Sequence, residues 1–328
     1  MSNEGGTDPV TYSYPMDSYG WEYGGFHASP GEEGAASTDG ADLYFQSSGM
    51  QNLDSSGAWQ LYRSVKGSLQ AVTTSVSTES MNFFPGYILK MGWDGAIDSC
   101  VSGVCVRIEQ VPVGNLRNSS LDRDVQGRLL LTWWSAPTSD RMILARTPSG
   151  WIPWAQGLGE PYPHLVWNGA DWGMAPPVDR SGVSDGLMVR TPSDTSWRIF
   201  SEMHDTLILY SGNVDTLKMH AQSVHGFQGD LYVGLNLSGV FVFPGGQLPY
   251  RKIRGEIYGT GIPLFIDDGT HLFASTDNGV YQLSADKSGF NFIGPASGGP
   301  CHSLTIFQGY LYVGCANGFV LKKKLSAT

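Results

Sequence analysis

Six carboxylates, Asp179, Asp185, Glu202, Asp205, Asp267 and Asp268, could do acid–base work on a glycosidic bond. That reaction needs two carboxyl groups about 5–10 Å apart across the substrate. Their spacing sets none of them opposite another. Asp267-Asp268-Gly269 and the segment 179–186 read better as turns, because Asp before Gly favours a tight reversal. Segment 179–186 also lacks the dense acidic spacing of a calcium loop. His204, Asp205, His220 and His225 form a loose cluster with no nucleophilic Ser or Cys motif beside them. Gly-x-Ser-x-Gly, the phosphate-binding loop and the dinucleotide fingerprint are missing. No catalytic, metal-binding or cofactor-binding residue is therefore assigned, and no cofactor and no enzymatic activity are expected.

Four cysteines allow three disulfide pairings. Cys100 and Cys105 straddle a short turn, while Cys301 and Cys315 flank a hairpin whose Gln308-Gly309 turn would set residue 302 opposite 315. A bond between them is suspected on that near-register, against the alternative of four small reduced side chains. Neither paired CxxC spacing nor a nearby His pair points to zinc. The tryptophans at 133/134, 151/154 and 167/172 are candidates either for stacking on sugars or for filling space between outer strands.

The elements that must position these side chains are short strands. Phe227–Phe243, Asp268–Leu283 and Phe307–Leu321 each read as turn, apolar strand, polar Gly turn, apolar strand. Their second-turn glycines, Gly239, Gly279 and Gly318, lie forty and thirty-nine residues apart. A hairpin recurring at about 40–45 residues is the mark of propeller blades. Leu231-Tyr-Val233 and Leu129-Leu-Leu131 are apolar at consecutive positions, as strands buried on both faces are. Weaker copies upstream, sharing Arg-Thr-Pro-Ser at 146–149 and 190–193, bring the series to turns near 103, 141, 186, 239, 279 and 318. The expectation is an all-β, six-bladed β-propeller over 51–328, with Trp59–Val65 as the strand that closes the ring.

The short repeat, clearest at Leu231–Phe243, Leu272–Leu283 and Leu311–Leu321, resembles that of two-component-regulator and related bacterial propellers. The resemblance implies a fold and no particular chemistry. Ser275-Thr-Asp-Asn-Gly-Val-Tyr281 partly matches the Asp-box of sialidase-like propellers, with Tyr281 and Gln282 in place of its Thr and Trp. In that family the box is a structural turn.

Residues 1–50 differ from the rest. They carry eight of the thirty acidic residues, no Lys or Arg, nine glycines and eight aromatics. Such a segment cannot bury a core alone and is expected to be an extended arm. Its aromatics, Tyr12, Tyr14, Tyr19, Trp21, Tyr23 and Phe26, are the expected partner-binding residues, because interfaces enrich such side chains. The formal charge of −10 lies mostly in this arm, and the basic clusters Arg251–Arg254 and Lys322–Lys324 are too local to track phosphates. No specific nucleic-acid binding is expected, although a near-neutral ring would let DNA pass as a passive channel. The sequence has no run of about eighteen apolar residues, the length that would span a membrane, and no secretory signal is visible.

These features point to a non-catalytic structural subunit of a large assembly that docks to other protein subunits, as a homo-oligomeric ring, through the arm. In kind it is similar to tail-nozzle proteins of short-tailed phages, which implies location in a virion. The alternative is an extracellular carbohydrate-binding or glycan-cleaving propeller.

Overall fold

The computed structural model describes residues 16–28, 33–48, 60–66, 68–72, 78–92, 94–111, 117–135, 140–154, 164–175, 186–202, 204–208, 214–218, 221–235, 239–253, 264–295 and 301–326. Among them are seven four-stranded antiparallel sheets and one two-stranded hairpin. Blade 1 holds β2 (Glu33–Thr38), β3 (Leu43–Ser48), β4 (Gln60–Val65) and β5 (Ser68–Ala71). Blade 2 holds β6 (Thr78–Phe84), β7 (Tyr87–Gly92), β8 (Ala96–Val101) and β9 (Val104–Gln110). Blade 3 holds β10 (Arg117–Arg123), β11 (Leu129–Ser135), β12 (Asp140–Thr147) and β13 (Gly150–Pro153). Blade 4 holds β14 (His164–Trp167), β15 (Ala170–Ala175), β16 (Gly186–Arg190) and β17 (Arg198–Glu202). The extra hairpin, β18 (His204–Ile208) and β19 (Val214–Lys218), follows. Blade 5 holds β20 (Ala221–Phe227), β21 (Asp230–Leu235), β22 (Gly239–Phe243) and β23 (Arg251–Ile253). Blade 6 holds β24 (Leu264–Asp267), β25 (Leu272–Thr276), β26 (Gly279–Leu283) and β27 (Phe290–Gly294).

Blade 7 closes the ring. Its first three strands come from the C-terminus, β28 (Cys301–Phe307), β29 (Tyr310–Cys315) and β30 (Phe319–Lys324), and its fourth is β1 (Trp21–His27) from the N-terminus. Acidic β1 lies antiparallel to basic β30, with Glu22 opposite Lys322 and Trp21 opposite Lys323. Gly24 lets the strands meet, since a Cβ there would stand 2.7 Å from the Val320 carbonyl oxygen.

The count is therefore seven blades, not six, and the ring begins at Trp21 rather than at residue 51. The six turns fall one in each of blades 2 to 7, although the one near 103 joins third to fourth strands and the others second to third; the uncounted blade is blade 1, which straddles the boundary set at residue 51. Residues 33–48 supply the first hairpin of blade 1, and Gln60–Val65, expected to close the ring, is that blade's third strand.

Among the described residues the core forms seven apolar clusters, one at each boundary between blades. Tyr44, Leu61, Ile88 and Cys100 join blades 1 and 2. Leu89, Met91, Leu121 and Leu131 join blades 2 and 3, and Leu130, Ala145, Met188 and Trp197 join blades 3 and 4. Three more follow around to Trp21, Phe273, Val280 and Leu311 between blades 6 and 7. Phe26, Phe45, Tyr312 and Val320 complete the circle between blades 7 and 1. Burial on both faces of each blade explains the consecutive apolar positions of the second strands. No helix among the described residues is long and apolar enough to cross a membrane.

Candidate functional site

Among the described residues, the most deeply buried charged side chains between blades lie at the boundary of blades 3 and 4 and at that of blades 1 and 2. Between blades 3 and 4, the His164 ring lies with Nδ1 2.9 Å from Asp122 Oδ2 and Nε2 3.0 Å from Asp171 Oδ1. The same Asp171 oxygen accepts from the Val125 amide at 2.8 Å, and Arg190 stands 3.7 Å from the other. Burial alone would pull the His164 pKa down, but its bonds to the two carboxylates outweigh that and push it up to about 9. The ring is therefore an imidazolium cross-linking two blades. Trp154 meets both His164 and Trp197 edge-on and covers the ring on one side.

Between blades 1 and 2, Lys90 occupies a second-strand position where blade 5 has Val233 and blade 7 has Val313. It is 1% exposed and its Nζ has no hydrogen-bond partner. Asp98, directly opposite across β7 and β8, is taken by Arg107, whose Nε donates to it at 2.8 Å. Desolvation lowers the Lys90 pKa to about 8 against the pull of Asp98.

Each cluster reaches solvent at one member only partly, Asp122 in the first and Arg107 in the second, while the side chains of His164, Asp171, Lys90 and Asp98 are buried. A cavity of about 280 Å³ opens between blades 5 and 6 beside Gln228, His271, Gln282, Ser284 and Lys287. It is smaller than the roughly 300–1,000 Å³ of ligand pockets, and Lys287 is already paired with Asp230 at 2.9 Å. No group of three or more His, Cys, Asp or Glu among the described residues could hold a metal ion.

Of the carboxylates considered for glycoside chemistry, the structure describes the side chains of Asp267 and Asp268, and both are engaged in other contacts. Asp267 receives the His225 ring at 2.7 Å across blades 5 and 6. Asp268 accepts from the Thr270 and His271 amides within its own turn. Asp179, Asp185 and His220 lie outside the described residues, and Glu202, His204 and Asp205 are placed by backbone alone. The Asp-box-like segment is the turn between the second and third strands of blade 6, with Ser275 and Thr276 buried. Trp154, Trp172 and Trp197 are also buried and fill the spaces between blades.

Of the aromatics expected to hold a partner, Tyr12 and Tyr14 lie outside the described residues. The other four serve the chain's own closure. Trp21 is fully buried and donates from Nε1 to the Ile293 carbonyl at 2.6 Å. Phe26 stacks on Phe45, Tyr23 meets Phe319 edge-on, and Tyr19 meets Phe292. Trp21 and Phe26 are buried against the chain's own blades, Tyr23 is half-buried and Tyr19 is 40% exposed.

An outward-facing apolar row does exist, and sequence reading passed over it. On β9, Val104, Val106 and Ile108 are 69%, 60% and 53% exposed, and neighbouring Val101 on β8 is 54% exposed. The outer strands β5, β13, β17 and β27 each show one exposed large apolar residue, Leu69, Ile152, Ile199 and Phe292. In β9 the charges are tied inward instead, Arg107 to Asp98 and Glu109 to Arg146 at 2.6 Å. Edge strands are normally protected by outward charge. β9 has the reverse arrangement, and as the last strand of its sheet it has no strand partner on its outer side among the described residues. The signal was the alternation Val-x-Val-x-Ile in a fourth strand, recognisable only once that strand is known to lie on the rim.

No protein-family description and no curated protein matches the chain by sequence. By fold it is similar to the extracellular domain of a putative hybrid two-component system from B. thetaiotaomicron, with TM-score 0.60, 13% identity, and coverage of 92% of this chain and 39% of that one. It is also similar to virginiamycin B lyase from Staphylococcus aureus, with TM-score 0.59, 9% identity, and coverage of 93% and 99%. The WD40 propeller domain of Doa1 gives TM-score 0.59, 11% identity, and coverage of 92% and 96%. The resemblance to tail-nozzle proteins gains no support from these structures. At such identities the likeness establishes the β-propeller fold and nothing beyond it.

Proposed function

We propose that this chain is a non-catalytic structural propeller that associates with a second copy of itself along β9. The single observation that carries the reading is the aliphatic row Val104, Val106 and Ile108 on an open sheet edge, with the charges of the same strand already paired inward. Alternate apolar residues are self-complementary under antiparallel pairing. A two-fold axis at Val106 sets Val104 of one copy opposite Ile108 of the other, and the reverse. Such an isologous contact needs one surface patch only, and it would extend the four strands of blade 2 into a continuous eight-stranded sheet. Strand addition supplies main-chain hydrogen bonds along the edge, and the aliphatic row fixes the register.

Light scattering after size exclusion tests this directly. The wild type should be dimeric, and Val106→Lys should be monomeric with an unchanged circular-dichroism spectrum, because two lysines would face each other on the axis. A monomeric wild type at high protein concentration, or a dimer that survives Val106→Lys, overturns the reading.

A further inference from the structure

We propose that Cys301 and Cys315 form a second cross-strand disulfide, which fastens the first hairpin of the closing blade and is acquired before that blade seals. Cys100 and Cys105 are directly opposite one another on β8 and β9 and are bonded. Cys301 and Cys315 stand in the same relation on β28 and β29, because a register irregularity between Cys301 and Ser303 shifts the pairing by one residue from the regular hairpin. That shift converts the near-register visible in the sequence into direct opposition. The two Sγ atoms are 3.4 Å apart, a short approach from the roughly 2.05 Å of a bond.

The position gives the bond a purpose. Cys301 opens β28 and Cys315 ends β29, so the pair lies at the end of the hairpin away from the Gln308-Gly309 turn. The turn holds one end and the disulfide would hold the other. Both cysteines belong to the apolar cluster containing Trp21, where the N-terminal strand completes blade 7. The hairpin would thus be preformed for β1 to dock.

Burial decides when the bond forms. In the folded chain Cys301 and Cys315 are 3% and 0% exposed. The hydrogen bond between them, together with burial, drives the Cys315 thiol far above the ordinary thiol range. Exchange needs a thiolate and access, and the closed blade offers neither. Oxidation therefore belongs to the open chain. The two thiols give up two protons and two electrons to a disulfide oxidant such as oxidised glutathione, which leaves as two molecules of glutathione. The compartment in which the chain folds must supply that oxidant, so the pair assigns folding to an oxidising environment.

The test refolds the full chain in a buffer of oxidised and reduced glutathione, then blocks free thiols with N-ethylmaleimide in denaturant without reductant. No lysine or arginine separates Cys301 from Cys315, so trypsin leaves both in one peptide, whereas chymotrypsin cuts between them at Phe307 and Tyr310. A Cys301–Cys315 cross-linked pair of chymotryptic peptides, free of maleimide, is expected. The protein folded first in reductant and oxidised afterwards should acquire that link far more slowly. Maleimide on Cys301 and Cys315, a link from either to Cys100 or Cys105, or equal rates in the two orders would each overturn the proposal. In the Cys100→Ser/Cys105→Ser variant, reductant should lower the urea midpoint through the remaining bond alone, and an unmoved midpoint counts against it.

Discussion

The Trp167 indole fills the space that a side chain on Gly226 would need, its Cδ1 lying 2.0 Å from where a Cβ would stand. Trp167 ends the first strand of blade 4 and Gly226 lies near the end of the first strand of blade 5. The same ring excludes a side chain at Gly246, 2.5 Å from its Cζ3. A large ring facing two glycines is how these blades approach one another.

Gly226→Ala should therefore destabilise the fold by about 1–3 kcal/mol through overpacking. Urea unfolding measures the cost, and a double-mutant cycle identifies its source. In a Trp167→Ala background the same change should cost almost nothing. An equal cost in both backgrounds would mean that the ring is not the obstacle.

Imidazolium His164 makes stability depend on pH. Its folded pKa of about 9 stands above the ordinary value of 6.5. The stabilisation is fully present below about pH 6.5 and is lost as pH rises through 9. Across that window the loss is on the order of 3 kcal/mol. His164→Gln should flatten the wild-type slope between pH 6.5 and 9 in equilibrium unfolding. A slope that persists in the variant would place its origin elsewhere.

Ring closure can be tested at Trp21, which is fully buried and donates to the Ile293 carbonyl. Trp21→Ala should cost about 3–5 kcal/mol by leaving a cavity between blades 6 and 7. Trp21→Phe should cost less, roughly 1–3 kcal/mol, chiefly for the stranded carbonyl. Hydrogen exchange should show β30 losing protection first. Uniform loss around the ring would argue against closure by β1 as the local latch.

The same residues explain what the sequence disclosed. Blades 5, 6 and 7 were legible because their turns, such as Gln228-Gly229 and Gln308-Gly309, are short and their second strands carry unbroken apolar runs. Blade 1 was hidden because β2 reads Glu-Gly-Ala-Ala-Ser-Thr, too polar and small to announce a strand, inside a segment of one charge sign. β1 was hidden because a closing strand belongs to the blade at the other end of the chain. The ion pairs were illegible for a related reason. Asp122 and His164, like His225 and Asp267, are forty-two residues apart. Contacts between neighbouring blades connect residues about one repeat apart, a distance that local pattern does not register.

Lys90 gives the last prediction. Where blades 5 and 7 place Val233 and Val313, this amine is enclosed with no hydrogen bond among the described residues, and Asp98 opposite it is already held by Arg107. Replacing it should relieve a desolvation penalty without stranding the carboxylate, so Lys90→Met should stabilise the fold at pH 7 by roughly 1–4 kcal/mol. The folded pKa of about 8 lies below the ordinary 10.5. The folded amine thus releases its proton before the unfolded one, and the wild type gains stability as pH rises from about 8 to about 10.5. The advantage of Lys90→Met should shrink over that same interval. If urea midpoints show Met destabilising at pH 7, the Lys90 amine contributes more to the fold than its desolvation costs, and no penalty is there to relieve.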